Sequence, residues 1–346
     1  MTDKHWSNII DILKGKVITP LPVGFIIDSP WLPNWYGISI LDYYSNDDLW
    51  FKANIKAIET FPDIIFFPGF WSEVGMCSEP SAFGARCSFP GNEFPHAYKI
   101  ITDISDIDKL IKPNAETDGF APFLLNRLKL YKEKIEDSGH KIRFSVSRGP
   151  LNIASYLMGT TEFLMNMMLY PDQIHKLLSL ITDYLIELHN LQKATFSSVD
   201  GIMILDDIIG FVGETEFQEF VLPYFKKLYN TEVKVKFLHN DAECGVSLPY
   251  LSEIGINIFN MAFDTDLNNL KEETGNQIVM LGNIPPRDVL AGGTENEVKE
   301  SARKMISGLK DKSRIIFSCG GGMPPKVKTE NILAFYNEIN KDITNI

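Results

Sequence analysis

The stretch Val233-Lys234-Val235-Lys236-Phe237-Leu238 is an apolar, β-prone run that leads straight into His239-Asn240-Asp241-Ala242-Glu243-Cys244. A second run of this kind, Arg314-Ile315-Ile316-Phe317, leads into Ser318-Cys319 and a glycine-rich segment that ends in Pro324-Pro325. Parallel strands of one barrel present their carboxyl ends at the same mouth, so 319 − 239 = 80 positions of separation do not prevent contact. Imidazole, carboxylate and thiol groups bind borderline-soft divalent metals such as zinc. The two motifs therefore predict a metal site at the mouth of a barrel.

Composition and charge define the broad class of protein. The 346 residues are 45% apolar and 23% charged, which is enough to bury a large core. A net charge of −12 argues against nucleic-acid or membrane-surface binding, since both need a basic face. The amino terminus lacks the apolar run of a signal peptide, and four cysteines suit a reducing compartment better than a disulfide scaffold. We therefore expect a cytoplasmic protein that binds neither nucleic acid nor membrane.

Short β-prone runs alternate with segments of helical periodicity along the whole chain. Eight alternations are the number in a (β/α)8 barrel, whereas no Gly-x-Gly-x-x-Gly turn follows any strand to support a doubly wound nucleotide-binding sheet. We therefore predict an α/β fold, a (β/α)8 TIM barrel with additional N-terminal and loop elements, formed by residues 1–346 as a single domain. The predicted strands are Leu21–Asp28, Ile64–Pro68, Ile142–Ser147, Gly201–Asp206, Val233–His239, Ile256–Ala262, Gln277–Gly282 and Arg314–Cys319.

The segment after the seventh strand carries a family resemblance. Its run Leu281-Gly282-Asn283-Ile284-Pro285-Pro286, followed by Gly293-Thr294-Glu295-Asn296-Glu297-Val298, resembles the uroporphyrinogen decarboxylase superfamily. Cys319 with Pro324-Pro325 and Thr329-Glu330-Asn331, and His239 with Gly255, resemble that superfamily's corrinoid methyltransferase branch. The resemblance covers about the whole chain and is most specific from Asp200 onward. It implies a (β/α)8 barrel and, in this branch, a zinc ion near the mouth.

The first-strand loop departs from the decarboxylases of this superfamily. They carry an Arg-Gln-Ala-Gly-Arg motif that holds the many carboxylates of a porphyrinogen. Here the corresponding region, residues 28–36, reads Asp-Ser-Pro-Trp-Leu-Pro-Asn-Trp-Tyr and contains no arginine. An acidic protein without that cluster is a poor host for a polyanion, which argues against porphyrinogen decarboxylation.

The metal motif also departs from the superfamily pattern. Members that methylate thiols carry His-x-Cys and a distant Cys, whereas Asp241 occupies the middle position here. The resemblance therefore implies His239, Asp241 and Cys319 as metal ligands, with Cys244 or Glu243 as alternatives for the second. A carboxylate in place of a thiolate leaves zinc more Lewis-acidic and suits an ether oxygen better than sulfur.

Further site residues follow from positions at strand ends. Asp206 and Asp207 follow a predicted strand, so one side chain enters the mouth and the other faces the helices. We assign Asp206 as the proton donor to a departing phenolate, with helix capping as the equal alternative. The aromatic and polar groups of the first, second and seventh strand ends are predicted to bind substrate, namely Asp28, Trp31, Tyr36, Trp71 and Asn283.

Together these features predict a zinc-dependent methyltransferase. It would move a methyl group from a small methylated substrate, preferably an aryl methyl ether, to the corrinoid (cobalamin) of a partner protein. Three alternatives stay open: a metal-free decarboxylase or lyase, methyl transfer from a methylcorrinoid to a thiol or other acceptor, and a binding protein that reuses the barrel.

Overall fold

The computed structural model describes residues 1–27 and 30–341. Within them the strands are β1 Gly24–Ile26, β2 Ile65–Phe67, β3 Cys87–Ser88, β4 His96–Ala97, β5 Phe144–Arg148, β6 Gly201–Leu205, β7 Val235–His239, β8 Ile258–Asn260, β9 Val279–Ile284 and β10 Ile315–Cys319. The helices are α1 Asp3–Leu13, α2 Trp31–Tyr36, α3 Ile40–Ser45, α4 Asp47–Thr60, α5 Ala121–Asp137, α6 Pro150–Met158, α7 Thr160–Leu169, α8 Pro171–Thr195, α9 Glu214–Glu216, α10 Leu222–Tyr229, α11 Leu251–Ile254, α12 Leu267–Glu273, α13 Glu295–Gly308 and α14 Thr329–Ile339. No helix in the described ranges has the length and apolar character needed to cross a bilayer.

The strands form the wall of a (β/α)8 barrel, as predicted. Strands β5 to β10 make one parallel sheet in chain order, and β1 pairs with β2 in parallel. A parallel bridge from Val23 to Phe317 joins β1 to β10, and the Phe317 amide donates to the Pro22 carbonyl at 2.8 Å. Each of the eight predicted runs overlaps one of these strands, and β5 and β9 extend one and two residues beyond the predicted ends. The short antiparallel pair β3–β4 was not predicted and lies in the long segment between β2 and β5.

Side-chain alternation along the strands separates two buried layers. Phe144 and Val146 of β5, together with Phe237 of β7, belong to the cluster inside the barrel. Leu238 and Phe317 belong to the cluster between the strands and the surrounding helices. Because successive side chains of a strand point to opposite faces, the strands of this barrel are apolar on both sides. The same alternation decides which side chain at each strand end enters the mouth.

Helix α1 covers the amino-terminal end of the barrel. Its Trp6, Ile9 and Ile12 are buried in the interior cluster, and the Trp6 ring meets Phe144 edge-on at 5.4 Å. The Thr2 hydroxyl caps the helix by accepting a hydrogen bond from the His5 amide at 3.1 Å. Since one end of the barrel is filled, the cavity described below opens at the other, where the strands end.

Local capping chemistry sets two of the helix starts. The Asn46 side chain accepts from the Leu49 amide at 3.0 Å and starts α4. Thr294 and Glu297 form a reciprocal capping box at the start of α13. Each cap joins residues that are close in sequence, so the start of each helix is set locally.

A buried histidine ties helix α8 to strand β5. His189 is hydrogen-bonded at 2.9 Å through Nδ1 to Ser145 Oγ and at 2.9 Å through Nε2 to Ser147 Oγ. Both serines face the helix layer, since they alternate with the interior residues of β5. Burial lowers the pKa of His189 from 6.5 to about 3, so the folded protein keeps this ring neutral.

We predict that His189 makes the protein acid-sensitive. Between pH 6.5 and about 3 the unfolded chain binds a proton at this position that the folded chain does not, so the free energy of unfolding falls as pH falls. The contribution amounts to about 2 kcal/mol between pH 6.5 and 5. Urea unfolding of His189→Gln should show a correspondingly smaller loss over that interval than wild type. His96→Gln, at an exposed histidine, serves as the control, and equal pH slopes for His189→Gln and wild type would contradict the prediction.

Candidate metal centre and cavity at the barrel mouth

A cavity of about 930 Å³ opens at the carboxyl ends of the strands. Its apolar walls include Met76, Phe94, Phe211 and Phe263, which come from four different loops. The ionisable groups lining it are predominantly acidic, namely Asp207, Asp241, Glu243, Asp264 and Asp288 against Arg148 and Arg287, together with His239.

Asp207, His239 and Asp241 form a compact cluster in this cavity. One potential ligand atom from each lies within 4.8 Å of those of the other two. His239 is the last residue of β7 and follows the interior residues Val235 and Phe237 in the two-residue alternation. His239 Nε2 lies 3.6 Å from Asp241 Oδ2, and the Asp241 amide donates to Asp207 Oδ1 at 2.7 Å. Two adjacent strand ends therefore deliver three metal-binding groups to one place.

The hydrogen bonds of Asn260 fix the tautomer of His239. The Asn260 amide nitrogen donates to the Leu281 carbonyl at 2.6 Å, which turns its oxygen toward His239 Nδ1 at 2.6 Å. A carbonyl and an amide oxygen can only accept, so Nδ1 carries the hydrogen. The lone pair of His239 therefore resides on Nε2, the atom that faces Asp241. This is the arrangement in which a histidine binds a metal and an outer group orients its ring.

The glycines after β10 give Asp241 its room. An atom added at the Cβ position of Gly321 would lie 1.9 Å from Asp241 Oδ1, and Gly321 has a positive φ of 68°. A side chain at this position would displace the carboxylate and strain the backbone. Half of the Asp241 side chain is exposed. Desolvation by the surrounding protein nevertheless raises the pKa of Asp241, and the charge of His239 opposes that rise.

The donor set fits a divalent metal. Two carboxylates and one neutral imidazole nitrogen are ligands that zinc accepts in sites with an open position, and they also suit harder divalent ions. Two carboxylates gathered around one imidazole at an open cavity form an arrangement that a bound cation would stabilise. Compared with the predicted ligands His239, Asp241 and Cys319, the cluster has an additional oxygen and no sulfur.

Cys319 lies outside this cluster in the described structure. It is the last residue of β10. Ile316 points into the barrel, so by alternation Cys319 points toward the helix-side layer, where it is completely buried. Its Sγ lies 3.8 Å from the Gly321 carbonyl oxygen. Of the two alternative ligands, Cys244 is buried with its Sγ 3.8 Å from Thr265 Oγ1, while Glu243 lines the cavity beside the cluster.

Of the two roles that the sequence left open for Asp206, proton donor and helix cap, its contacts are those of a cap. Asp206 is completely buried; its Oδ2 accepts from the Leu151 and Asn152 amides at 2.9 and 3.2 Å, and its Oδ1 accepts from the Ile208 amide at 3.2 Å. Burial raises its pKa to about 8, against the pull of these donors. Because Leu205 faces the interior, Asp206 faces the helices and Asp207 the mouth. Asp206 is therefore a cap for α6 and does not reach the cavity.

The aromatic residues predicted to contact substrate are placed in the core. Trp31 has no exposed surface, stacks on Trp35 at 5.3 Å and donates from Nε1 to the Val327 carbonyl. Tyr36 packs against the helix-side cluster at the end of α2. Trp71 belongs to the interior cluster, with the Arg148 guanidinium 5.9 Å from its ring centroid. Trp31 and Trp71 are buried and Tyr36 is partly buried, and none of the three lines the cavity.

Asn283, also predicted to bind substrate, does not line the cavity. Asn283 donates from Nδ2 to the Thr265 carbonyl at 2.6 Å and so holds the loop after β8. Asp28 lies outside the described residues.

A buried ion network forms part of the cavity floor and was not anticipated from sequence. Arg148 Nη2 lies 2.9 Å from Glu73 Oε2, and its amide donates to Glu79 Oε1 at 2.9 Å. Burial disfavours its charge, but Glu79 and Glu73 outweigh that effect and raise the pKa of Arg148 above its usual value. Neighbouring Tyr156 also lines the cavity, and burial raises its pKa to about 12. The network joins β5 to the segment after β2, a pairing that no local pattern reveals.

Comparisons with known proteins agree on the fold. A profile of the family described as "Uroporphyrinogen decarboxylase (URO-D)" matches residues 5–341. The uroporphyrinogen decarboxylase of Chloroherpeton thalassium is 24% identical over 281 residues, covering 76% of each chain. That of Danio rerio is 26% identical over 281 residues, covering 75% of this chain and 73% of its own.

Solved structures show the same architecture at low identity. A methyltransferase from Methanosarcina mazei superposes with a TM-score of 0.80 at 18% identity, over 97% of this chain and 98% of its own. A B12-independent methionine synthase from Shewanella sp. W3-18-1 superposes with a TM-score of 0.59 at 12% identity, over 94% and 99%. At these identities the likeness concerns the fold.

We predict that replacing Asp206 by alanine lowers the free energy of unfolding far more than replacing its neighbour Asp207. Asp206→Ala leaves three buried backbone amides without an acceptor and should lower the free energy of unfolding by about 3 kcal/mol. Asp207→Ala, at the cavity, should change it by less than about 1 kcal/mol. Urea unfolding of both variants at pH 7 tests this, and a larger loss for Asp207→Ala than for Asp206→Ala would contradict it.

Proposed function

The chain belongs to the uroporphyrinogen decarboxylase family, and we propose that within this family it acts as a metal-dependent methyltransferase. It would take the methyl group of a small methylated substrate, preferably an aryl methyl ether, and pass it to the corrinoid of a partner protein. The observation that supports this most is the Asp207–His239–Asp241 cluster in a cavity large enough for an aromatic ring.

The charge of the cavity favours this reading over porphyrinogen decarboxylation. Five carboxylates and two arginines line it, and Arg148 is already paired with Glu73 and Glu79. Such a field attracts a divalent cation and repels a substrate with many carboxylates. The curated relatives are named uroporphyrinogen decarboxylases, but at 24 to 26% identity the shared fold leaves the mouth chemistry free to differ.

We propose Asp207, His239 and Asp241 as the residues that would hold zinc. The competing ligand assignment is the triplet predicted from sequence, which includes Cys319. That assignment is supported by the family resemblance. When bound, zinc supplies Lewis acidity toward the ether oxygen and so makes that oxygen a better leaving group.

The chain's own residues prepare the site for this chemistry. Asn260 keeps His239 in the tautomer with its lone pair on Nε2, and Asp207 positions the backbone of Asp241. Tyr156 would take the role that sequence gave to Asp206: it lines the cavity, and a phenol is protonated at neutral pH, so it can donate a hydrogen bond to the oxygen that loses the methyl group. Phe94 and Met76 offer apolar contact to the substrate ring.

The rim of the cavity offers a surface for the corrinoid protein. Phe211 and Phe263 both line the cavity yet are 62% and 47% exposed. Large exposed aromatic side chains are typical of contact surfaces. A partner that approaches here would bring its methyl-accepting group to the open end of the barrel.

We predict that metal binding depends on the cluster. Purified protein should hold about one zinc per chain. Asp207→Ala and His239→Ala should weaken zinc binding by more than the roughly 10- to 100-fold that follows removal of a ligand's outer hydrogen-bond partner. Elemental analysis and chelator competition measure this, with Asp264→Ala as the control for an acid of the same cavity. Retention of zinc in Asp207→Ala together with its loss in Cys319→Ser would refute the cluster and favour the thiolate.

We predict that a methoxyphenol is demethylated in the presence of a reduced corrinoid. Formation of the free phenol, followed by chromatography, should exceed turnover of a methylated thiol or of uroporphyrinogen under the same conditions. His239→Ala should lower kcat/KM on the order of 100-fold or more, since a metal contributes several kcal/mol to charge stabilisation. Porphyrinogen decarboxylation would rule out the methyltransferase proposal, and a preference for the thiol would show that the oxygen-rich cluster does not select ethers.

A further inference from the structure

Arg287 is a cation of the cavity that makes no ion pair among the described residues. It lies on the π-helical segment Pro286–Ala291 that follows β9, and its side chain is exposed to the cavity. The other cavity arginine, Arg148, is paired with Glu73 and Glu79. Among the described residues Arg287 makes no ion pair and no side-chain hydrogen bond, although Asp264 and Asp288 line the same cavity. Its guanidinium therefore presents its full set of donors to whatever enters.

The backbone under Arg287 is fixed from both sides. The Leu290 amide donates to the Pro285 carbonyl at 3.0 Å, and Leu290 is completely buried. Asn331 of α14 donates from Nδ2 to the carbonyls of Leu290 and Gly293, each at 2.9 Å. A guanidinium group on an anchored segment loses less conformational entropy on binding a ligand than one on a flexible loop.

Arg287 lines the same cavity as the cluster and acts on it electrostatically. Desolvation raises the pKa of Asp241, and the charge of Arg287 partly opposes that rise. Asp241 and Arg287 also line one continuous cavity with the apolar side chains of Met76 and Phe94. An aromatic ring between a cation and a metal-binding cluster would meet apolar walls along its length.

We propose that Arg287 selects substrates that carry a carboxylate on the ring, so that the methyl donor is a methoxylated aromatic acid. This inference rests on the proposed function and adds the charge of its substrate. A guanidinium fork matches the two oxygens of a carboxylate in a bidentate pair, which is stronger than a hydrogen bond between neutral groups. The acids Glu243, Asp264 and Asp288 do not prevent this, because they are exposed and are screened by water and salt. The charges of Asp207 and Asp241 would be neutralised by a bound dication.

The test is direct binding, which requires no turnover. Calorimetry of the zinc-loaded protein should show that 4-methoxybenzoate binds more tightly than 4-methoxyphenol. Arg287→Gln should weaken the binding of 4-methoxybenzoate on the order of tenfold, since one charge-assisted contact is lost. The same variant should leave the affinity for 4-methoxyphenol unchanged. Arg303→Gln is the matched control, because Arg303 is an exposed arginine of α13 outside the cavity.

The other outcomes would overturn the inference, and they differ from failure of the proposed function. Equal weakening of both ligands would show that Arg287 only shapes the cavity, and no binding of the carboxylate or tighter binding of tetramethylammonium would show that the acids prevail. If Arg287→Gln leaves ligand binding unchanged but raises the amount of corrinoid protein needed for half-maximal rate, the anion belongs to the partner. Demethylation of neutral methoxyphenol tests the methyltransferase activity itself and does not depend on Arg287.

Discussion

The two-residue alternation of eight parallel strands is the constraint on which the site depends. Each strand is buried on both faces, so its register cannot slip by one residue without exchanging the interior and helix-side layers. Register places Leu205 beside His239 and His239 beside Asn260. The hydrogen bond between His239 and Asn260, and the arrival of Asp207 rather than Asp206 at the mouth, follow from that register.

The polar groups at the mouth divide into those enclosed by their protein partners and those that also face the open cavity. Asp206 is occupied by three backbone amides, and Arg148 by two glutamates. Asp207, His239 and Asp241 instead face each other across the open cavity. Carboxylates and an imidazole gathered at one open place are typical of sites that bind a ligand or a metal.

The family provides the barrel, and the mouth determines the chemistry. Proteins named uroporphyrinogen decarboxylase and a methyltransferase share this architecture with the chain at low identity. Loops at the carboxyl ends of barrel strands can change without disturbing the core, since the strands and helices below are held by their own apolar layers. In this chain those loops carry acids, one open arginine and apolar walls, a combination that accords with a dication and a small aromatic ligand.

Sequence alone determined the barrel, its eight strands and several helix caps, because alternation and capping are local patterns. It also identified His239 and Asp241 as neighbours at one strand end. It did not separate Asp206 from Asp207, because the strand before them, Gly201–Leu205, is apolar on both faces and does not reveal which one points inward. Whether Trp31 lines a cavity or fills the core depends on what packs against it, and the pairing of Arg148 with Glu73 joins positions far apart in the chain. Only the tertiary structure decided these, since contact between distant residues depends on how whole elements pack and not on their neighbours in sequence.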